Sequence, residues 1–361
     1  MLSKTNKENK VLIIIPALNP KKEFIVYVKK LIKNGFSNIL VINDGSEEKC
    51  NNIFETLKNE KYCTVITHDK NEGKGKAIKD GLKYFLQLEN IEEFLGVITV
   101  DCDGQHLIKD IKNIVQKMNN NQSELILGVR NFSKDNVPSK SSFGNKLTSK
   151  VLKFLYGKKI SDTQTGLRGI PTKLVEQLIN LPGNRYEYET NMLIDCILKK
   201  IDILEVPIET VYIDNNSNTH FRPVVDSISI YFRIFNSFLK YSAVSIVSFI
   251  IDIGLFKLLF NVLEGFINNS LILISTILSR IISSFINFIL NKKFSFNSNK
   301  KLKSTVLKYY TLCVIQMIAS GILVSLFYNL LGISEVIIKI IIDTILFFVN
   351  YRVQRIWIFN E

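Results

Sequence analysis

Apolar residues in this chain are gathered into four long segments, near 242–262, 269–290, 306–331 and 334–353. Each is close to the roughly 20 residues that an α-helix needs to cross a hydrocarbon core. Within such a core every backbone amide must be satisfied internally, so these segments read as membrane-spanning helices. A purely soluble fold is thereby excluded for the last third. The same segregation explains how a chain of 361 residues is 47% hydrophobic and still 22% charged. Residues 1–222 read as a water-soluble domain, 223–240 as an amphipathic interfacial linker helix, and 241–361 as a membrane domain of four helices.

Charge and cysteine use fix the expected compartment. The net charge of +13 is spread over both parts, which suits phosphates or lipid headgroups as partners. Five scattered cysteines without a C-x-x-C spacing read as reduced thiols rather than a disulfide framework or a zinc site. Met1–Lys10 is polar and has no signal-peptide pattern. Lys292, Lys293, Lys300, Lys301 and Lys303 lie between the second and third segments, and Arg352 and Arg355 follow the fourth. By the positive-inside bias, the soluble domain and both termini are expected in the cytosol, on an integral protein of the cytoplasmic membrane. Phe221–Lys240 mixes Phe232, Ile234, Phe235, Phe238 and Leu239 with Arg233 and Lys240, the pattern of an interfacial helix. Asp252, Arg280 and Asp343 fall near mid-membrane, where a charge must face a partner or a cavity, so Arg280 is expected to pair with Asp252, Asp343 or both.

In the soluble part, short β-branched runs at Val11–Ile15, Asn38–Ile42, Tyr62–Thr67, Gly96–Val100 and Glu124–Leu127 alternate with helix-like stretches. The stretches are Lys22–Lys33, Glu47–Lys58, Gly75–Leu88 and Ile108–Met118. This alternation predicts right-handed βαβ units and a mainly parallel, Rossmann-like α/β sheet with helices on both faces. Ligands of such sheets sit at the carboxyl ends of the strands, and the chemistry-bearing residues fall there. Pro16 and Ala17 end the first strand with rigid or small backbone that a flat base can approach. Asp44 follows the second strand in a turn, either to accept hydrogen bonds from a base or ribose or simply to form the turn. Asn71, Gly73 and Lys74 precede a helix, and its N-terminus suits phosphate; the spacing is not that of a P-loop. Asp101, Asp103 and Gln105 offer the oxygen ligands that Mg²⁺ or Mn²⁺ prefers. His106 supports them or starts the next helix.

Taken in order, Ile15-Pro16-Ala17-Leu18-Asn19, Val41-Ile42-Asn43-Asp44-Gly45-Ser46, Asn71-Glu72-Gly73-Lys74-Gly75 and Asp101-Cys102-Asp103-Gly104-Gln105-His106 resemble family 2 glycosyltransferases. Within that family they are most similar to the dolichyl- and polyprenyl-phosphate sugar synthases. Gly128-Val129-Arg130, Ser161 to Gly169, Arg185-Tyr186-Glu187-Tyr188-Glu189 and Val206-Pro207-Ile208 fit the same subfamily. Asn287 to Phe296 and the closing Asn350-Tyr351-Arg352 to Trp357-Ile358-Phe359 resemble the GtrA-like four-helix membrane family.

This resemblance implies a GT-A-type fold and a metal-dependent, inverting transfer of one sugar. The donor would be of the GDP-mannose or UDP-glucose type, and the acceptor polyprenyl or dolichyl phosphate. It implies that Pro16, Ala17, Asp44, Asn71, Gly73 and Lys74 hold the donor, with Asp101 and Asp103 clamping a metal diphosphate together with Gln105. Arg130, Lys140, Asn145 and Arg222 would bind the acceptor phosphate, and Asp162 would steer the reaction, handle a proton or cap a turn. Leu18, Pro20 and Asn43 depart from the usual pattern, which leaves the base unspecified. The Q-x-x-R-W signature of processive synthases does not occur, which favours single transfer. Expected partners are the nucleotide sugar, the lipid phosphate and membrane lipids, with no nucleic acid and room for a homo-oligomer. Two other readings stand beside this one: the membrane half as a translocator of the glycolipid product, and the chain as a non-catalytic nucleotide-binding scaffold.

Overall fold

A computed structural model describes residues 10–131, 139–209, 222–264 and 271–359. The chain divides into two compact units, one of Met1–Lys153 and Lys158–Ile234, the other of Phe154–Gly157 and Phe235–Glu361.

The first unit is built on a seven-stranded mixed sheet. Its strands are β1 (Val11–Ala17), β2 (Ile39–Asn43), β3 (Cys63–Thr67), β4 (Gly96–Thr99), β5 (Leu125–Arg130), β6 (Arg168–Pro171) and β7 (Ile203–Ile208), in the order β3-β2-β1-β4-β6-β5-β7. The β1/β2, β2/β3, β1/β4 and β5/β7 pairs are parallel, whereas β6 runs antiparallel to both β4 and β5. Helices α1 (Glu23–Lys33), α2 (Asn51–Lys58), α3 (Lys74–Leu86), α4 (Ile108–Asn120), α5 (Ser139–Tyr156), α6 (Thr172–Ile179) and α7 (Glu187–Leu198) connect or follow the strands.

Val11, Leu12, Ile13, Ile14 and Ile15 are all buried, because α1, α2 and α4 cover one face of β1 and α3 covers the other. A strand covered on both faces has no polar side, which is why these runs are apolar without alternation. Phe24, Val28 and Leu31 of α1, Phe54 and Leu57 of α2, and Ile111, Ile114, Val115 and Met118 of α4 fill one core with alternate residues of β1. Truncating any of its leucine, isoleucine, methionine or phenylalanine side chains to Ala would cost about 2–5 kcal/mol.

The second unit is helical. Helix α8 (Pro223–Leu263), whose residues up to Ile234 belong to the first unit, begins with proline, which suits a first helical position. It continues without interruption for 41 residues. The expected change from an interfacial helix at 223–240 to a first span at 242–262 is therefore not a break in the helix. α9 (Leu271–Leu290), α10 (Leu302–Leu331) and α11 (Glu335–Val353) follow. Among the described residues three helical stretches, Val225–Leu263, Leu271–Ser295 and Leu302–Leu331, are long and apolar enough to cross a membrane. α11 is a helix where the fourth span was expected, but Glu335, Lys339, Asp343 and Arg352 interrupt its apolar run. Ile246, Phe249, Ile250, Ile253, Ile272, Ile281, Ile318 and Ile322 are all exposed, as lipid-facing side chains must be.

The charges expected near mid-membrane are partnered. Arg280 Nε lies 3.1 Å from Asp252 Oδ2, and the Ser283 hydroxyl donates to Asp252 Oδ1 at 2.9 Å. Asp343 instead takes Lys339 at 2.9 Å and the Ser320 hydroxyl at 2.6 Å. Of the two partners expected for Arg280, the fold supplies Asp252.

Candidate active site

Strand β4 ends at Thr99, and the turn beyond it carries Asp101, Cys102 and Asp103 at the carboxyl edge of the sheet. Asp101 is half-buried and engaged on both oxygens. Lys74 Nζ sits 2.8 Å from its Oδ1, and His106 Nε2 3.1 Å from its Oδ2. Burial would raise the Asp101 carboxyl, but the Lys74 ammonium and His106 outweigh it and hold the group well below the usual carboxylate range. Asp103 points the other way: desolvation, then the Asp101 charge, raises it, while the Gln105 backbone amide donates to its Oδ1 at 3.0 Å. Between them, burial and the two carboxylates push the Cys102 thiol up to about 12. His106 is buried, and its carbonyl accepts from the Tyr27 hydroxyl at 2.7 Å, so α1 helps to fix this turn.

The wall facing Asp101 has no side chain. A Cβ on Gly166 would lie 2.2 Å from Asp101 Oδ2, so only glycine lets that backbone approach the carboxylate. The Thr99 hydroxyl donates to the Gly166 carbonyl at 2.7 Å and holds the segment there. The reversal of β6 makes this possible. Thr99 pairs with Arg168, so the residues that lead into β6 arrive at the edge where β4 departs.

Asp44, at the end of β2, is buried and fully used within the chain. Its Oδ1 faces His68 Nδ1 at 2.9 Å and accepts from the Glu72 amide at 2.9 Å, and its Oδ2 accepts from the Gly73 amide at 2.9 Å. The structure thus gives Asp44 the work of holding the 71–75 loop. Gly73 adopts φ +103° and lies where a Cβ would meet the Asn184 carbonyl oxygen at 2.4 Å, so the loop needs glycine there. Asn71 is exposed beside it. Pro16 is half-buried within β1 and Ala17 is buried at its end. Lys74 begins α3 but turns inward: besides Asp101 it lies 3.0 Å from Glu189 Oε1 on α7. Burial opposes its charge, yet Asp101 and Glu189 hold its ammonium above the ordinary lysine value.

Arg130 ends β5 and is bound to Asp162. Its Nε donates to Asp162 Oδ2 at 2.6 Å, its Nη2 to Oδ1 at 3.0 Å, and its backbone N–H to Oδ2 at 3.2 Å. Asp162 is fully buried and also accepts from the Gln164 amide. A carboxylate so occupied orients Arg130. Asn145, on α5, is equally committed. Its Nδ2 donates to the Ser161 carbonyl at 2.7 Å, and its Oδ1 accepts from the Thr163 amide at 2.8 Å and hydroxyl at 2.9 Å. It therefore braces the segment that carries Asp162.

Arg222 is exposed and lies 3.5 Å from Asp226, a buried carboxylate that Arg185 also approaches at 3.6 Å. Lys140 lies in the first turn of α5, and its side chain falls outside the described residues. Glu189 and Arg168 were missed as individual residues, although the motifs that contain them were visible. Arg168 is fully buried, donates to the carbonyls of Thr165 and Glu189, and has no hydrogen-bond partner for Nη2 among the described residues.

The strand-end carboxylate pair, the glycine loop before α3 and the arginine fixed by Asp162 at the end of β5 all lie at loops that follow or precede strands of the one sheet. The chain belongs to glycosyl transferase family 2 and is a glycosyltransferase: that family's description matches residues 12–179. "GtrA/DPMS, transmembrane domain" matches residues 240–359, so the protein is a membrane protein with a GT-A-like catalytic domain. An uncharacterized protein of Methanocaldococcus jannaschii is 30% identical over 216 residues, 58% of this chain and 86% of that protein. The UDP-N-acetylglucosamine–dolichyl-phosphate N-acetylglucosaminyltransferase of Methanococcus voltae is 30% identical over 220 residues, 56% of this chain and 86% of that protein. Among solved structures, mannosyl-3-phosphoglycerate synthase from Rubrobacter xylanophilus aligns with a TM-score of 0.44 at 16% identity. That alignment covers 62% of this chain and 74% of that one.

Among the described residues no set of three or more His, Cys, Asp or Glu side chains converges as a metal site. Asp101 and Asp103 fit a hard divalent cation as a pair. They are two carboxylates with one residue between them; burial and then the Asp101 charge raise Asp103, and a cation, the Lys74 ammonium, already rests on Asp101. Phosphate and water oxygens would complete such a shell.

Proposed function

We propose that the protein transfers one sugar, with inversion, from a nucleoside-diphosphate sugar to polyprenyl or dolichyl phosphate at the cytosolic membrane face. The observation that carries this reading is the Asp101–Asp103 pair at the carboxyl edge of the sheet, in a chain that also has three helices long and apolar enough to cross a membrane among its described residues. The second unit supports a lipid acceptor, since an enzyme held at the bilayer can reach a substrate confined there. The Methanococcus voltae relative acts, by its name, on UDP-N-acetylglucosamine and dolichyl phosphate, which adds that nucleotide sugar to the UDP-glucose and GDP-mannose type donors.

In this reading Asp101 and Asp103, with Gln105, would hold Mg²⁺ or Mn²⁺, which when bound would neutralise the departing diphosphate. Pro16, Ala17 and the loop that Asp44 braces at Asn71 and Gly73 would seat the nucleoside, and Lys74 would meet the diphosphate. Arg130, oriented by Asp162, would carry the acceptor phosphate, with Lys140 and Arg222 adding cationic attraction and Asn145 holding the frame. An oxygen of the acceptor phosphate then attacks the anomeric carbon. The bond from that carbon to the diphosphate breaks, and the nucleoside diphosphate leaves with the electron pair. The acceptor is already anionic, so no general base is needed, and positioning with charge stabilisation supplies the rate. α11 would form the fourth span, and the lysines around 292–303 would keep the catalytic unit and both termini on the cytosolic side.

The test is direct. Membranes containing the protein are incubated with polyprenyl phosphate, Mg²⁺ or Mn²⁺ and labelled UDP-N-acetylglucosamine, UDP-glucose or GDP-mannose. One donor is expected to label the lipid extract. Absence of transfer from every donor overturns the reading.

A further inference from the structure

We infer that Lys74 is a place-holder cation that makes metal binding conditional on the donor, an inference that rests on the metal-diphosphate reading above. Lys74 stands where it blocks Asp101. Its ammonium lies 2.8 Å from Asp101 Oδ1 and 3.0 Å from Glu189 Oε1, and His106 takes Asp101 Oδ2 at 3.1 Å. The cation is held in a lined recess. The Lys74 side chain is only 18% exposed and that of Glu189 6%. The bare backbone at Gly166 closes the far side of Asp101, and the Tyr186 ring stands 5.9 Å from the ammonium. Asp101 therefore already has a neutralising partner, and a divalent ion arriving alone must displace it.

A nucleoside diphosphate changes that competition. Its phosphate oxygens give Lys74 a second anion to bind and give the metal further ligands. The ammonium can then leave Asp101 while Glu189 keeps it in the recess, and the metal takes the vacated oxygen. No covalent bond changes, and charge is exchanged between two cations on one carboxylate. Glu189 is in this account a positioning residue: it stores Lys74 close to the diphosphate and keeps it out of solvent. The consequence is ordered assembly, with metal binding weak until the donor is present. Free Mg²⁺ or Mn²⁺ would not occupy the site on its own.

The test measures Mn²⁺ binding to the full-length protein in detergent by electron paramagnetic resonance of the free ion, with and without UDP or GDP. Three proteins are compared: wild type, Lys74→Met, and the double variant Lys74→Met with Glu189→Gln. The double variant removes one charge of each sign, so it preserves the net charge and leaves no buried carboxylate unpaired. Loss of the charged contact to Asp101 is expected to tighten nucleotide-free Mn²⁺ binding by about tenfold or more in both variants. Wild type should reach comparable affinity only with the nucleoside diphosphate.

A gain in the single variant that vanishes in the double variant would reduce the effect to net charge and overturn the place-holder role. Equal nucleotide-free affinity in wild type and the double variant would overturn it as well. If wild type binds Mn²⁺ with nucleotide but neither variant gains affinity without it, this inference falls and the metal-dependent reading stands. If wild type binds no Mn²⁺ even with nucleotide, both fall together.

Discussion

Replacing Asp162 with Asn tests whether the Arg130–Asp162 pair is the brace between β5 and the segment leading into β6. The substitution keeps the shape and removes the charge from a carboxylate that has no solvent exposure and accepts four hydrogen bonds. Breaking a buried ion pair by removing one partner costs about 3–5 kcal/mol. The Arg130 side chain retains 17% exposure and can recover some hydration, which places the expected loss near the lower end, about 3 kcal/mol. For a unit of this size each kcal/mol shifts the midpoint by about 2–4 °C, so a loss of about 6–12 °C is expected. Arg130→Met should cost more, because it strands the fully buried carboxylate. The decisive quantity is the coupling. In a double-mutant cycle on the full-length protein in detergent, followed by scanning calorimetry, Asp162→Asn with Arg130→Met should fall short of the sum of the singles by about 2 kcal/mol. Singles that add to within about 0.5 kcal/mol would show that the bidentate contact carries no stability, and the bracing argument would be refuted.

Three further outcomes are expected. Asp101→Asn, and separately Asp103→Asn, should lower sugar transfer by about 100-fold or more if the pair stabilises the leaving diphosphate, measured as labelled lipid per unit of folded protein. Gly166→Ala should lower both transfer and the melting midpoint, because the new methyl group arrives 2.2 Å from Asp101 Oδ2 and the backbone must move away. Cys102, whose thiol is pushed up to about 12 by burial and its two acidic neighbours, should react slowly with iodoacetamide at pH 8. Its thiolate fraction rises as pH climbs toward 12, and Asp101→Asn with Asp103→Asn should lower that value and speed modification, read by peptide mass spectrometry.

Much of the framework was legible because buried parallel strands announce themselves as unbroken β-branched runs. Val11–Ile15 and Gly96–Val100 were placed within a residue or two of their observed ends. β6 was not placed as a strand, since Arg168-Gly169-Ile170-Pro171 is four residues long, and its antiparallel pairing with β4 and β5 is set by tertiary contact alone. The same limit applies to the site. The carboxylate pair is local in sequence and was visible, but the partners of Asp162, Asp44 and Lys74 lie 32, 24–29 and 27–115 residues away. In sequence Asp162 therefore reads as a steering, proton-handling or capping residue, Asp44 as a base or ribose ligand or a turn former, and Lys74 as a phosphate ligand, while the fold engages all three with protein groups. Asn145 shows the point most plainly: a polar side chain near a basic loop looks like a ligand until its amide is found spent on Ser161 and Thr163.

The direction of β6 also sorts the site into two inheritable parts. Donor-side candidates come from the trailing loops of β1, β2 and β4, each following its strand. Asp162 comes from a leading loop, which enters the same edge before its strand begins. The stretch from 158 to 164 lies before the residues that fasten to β4 and β5, Gly166 to Thr99 and Leu167 to Gly128. On the function proposed above, a graft of that stretch that keeps Gly166 against Asp101 would change what accepts the sugar while leaving what donates it intact.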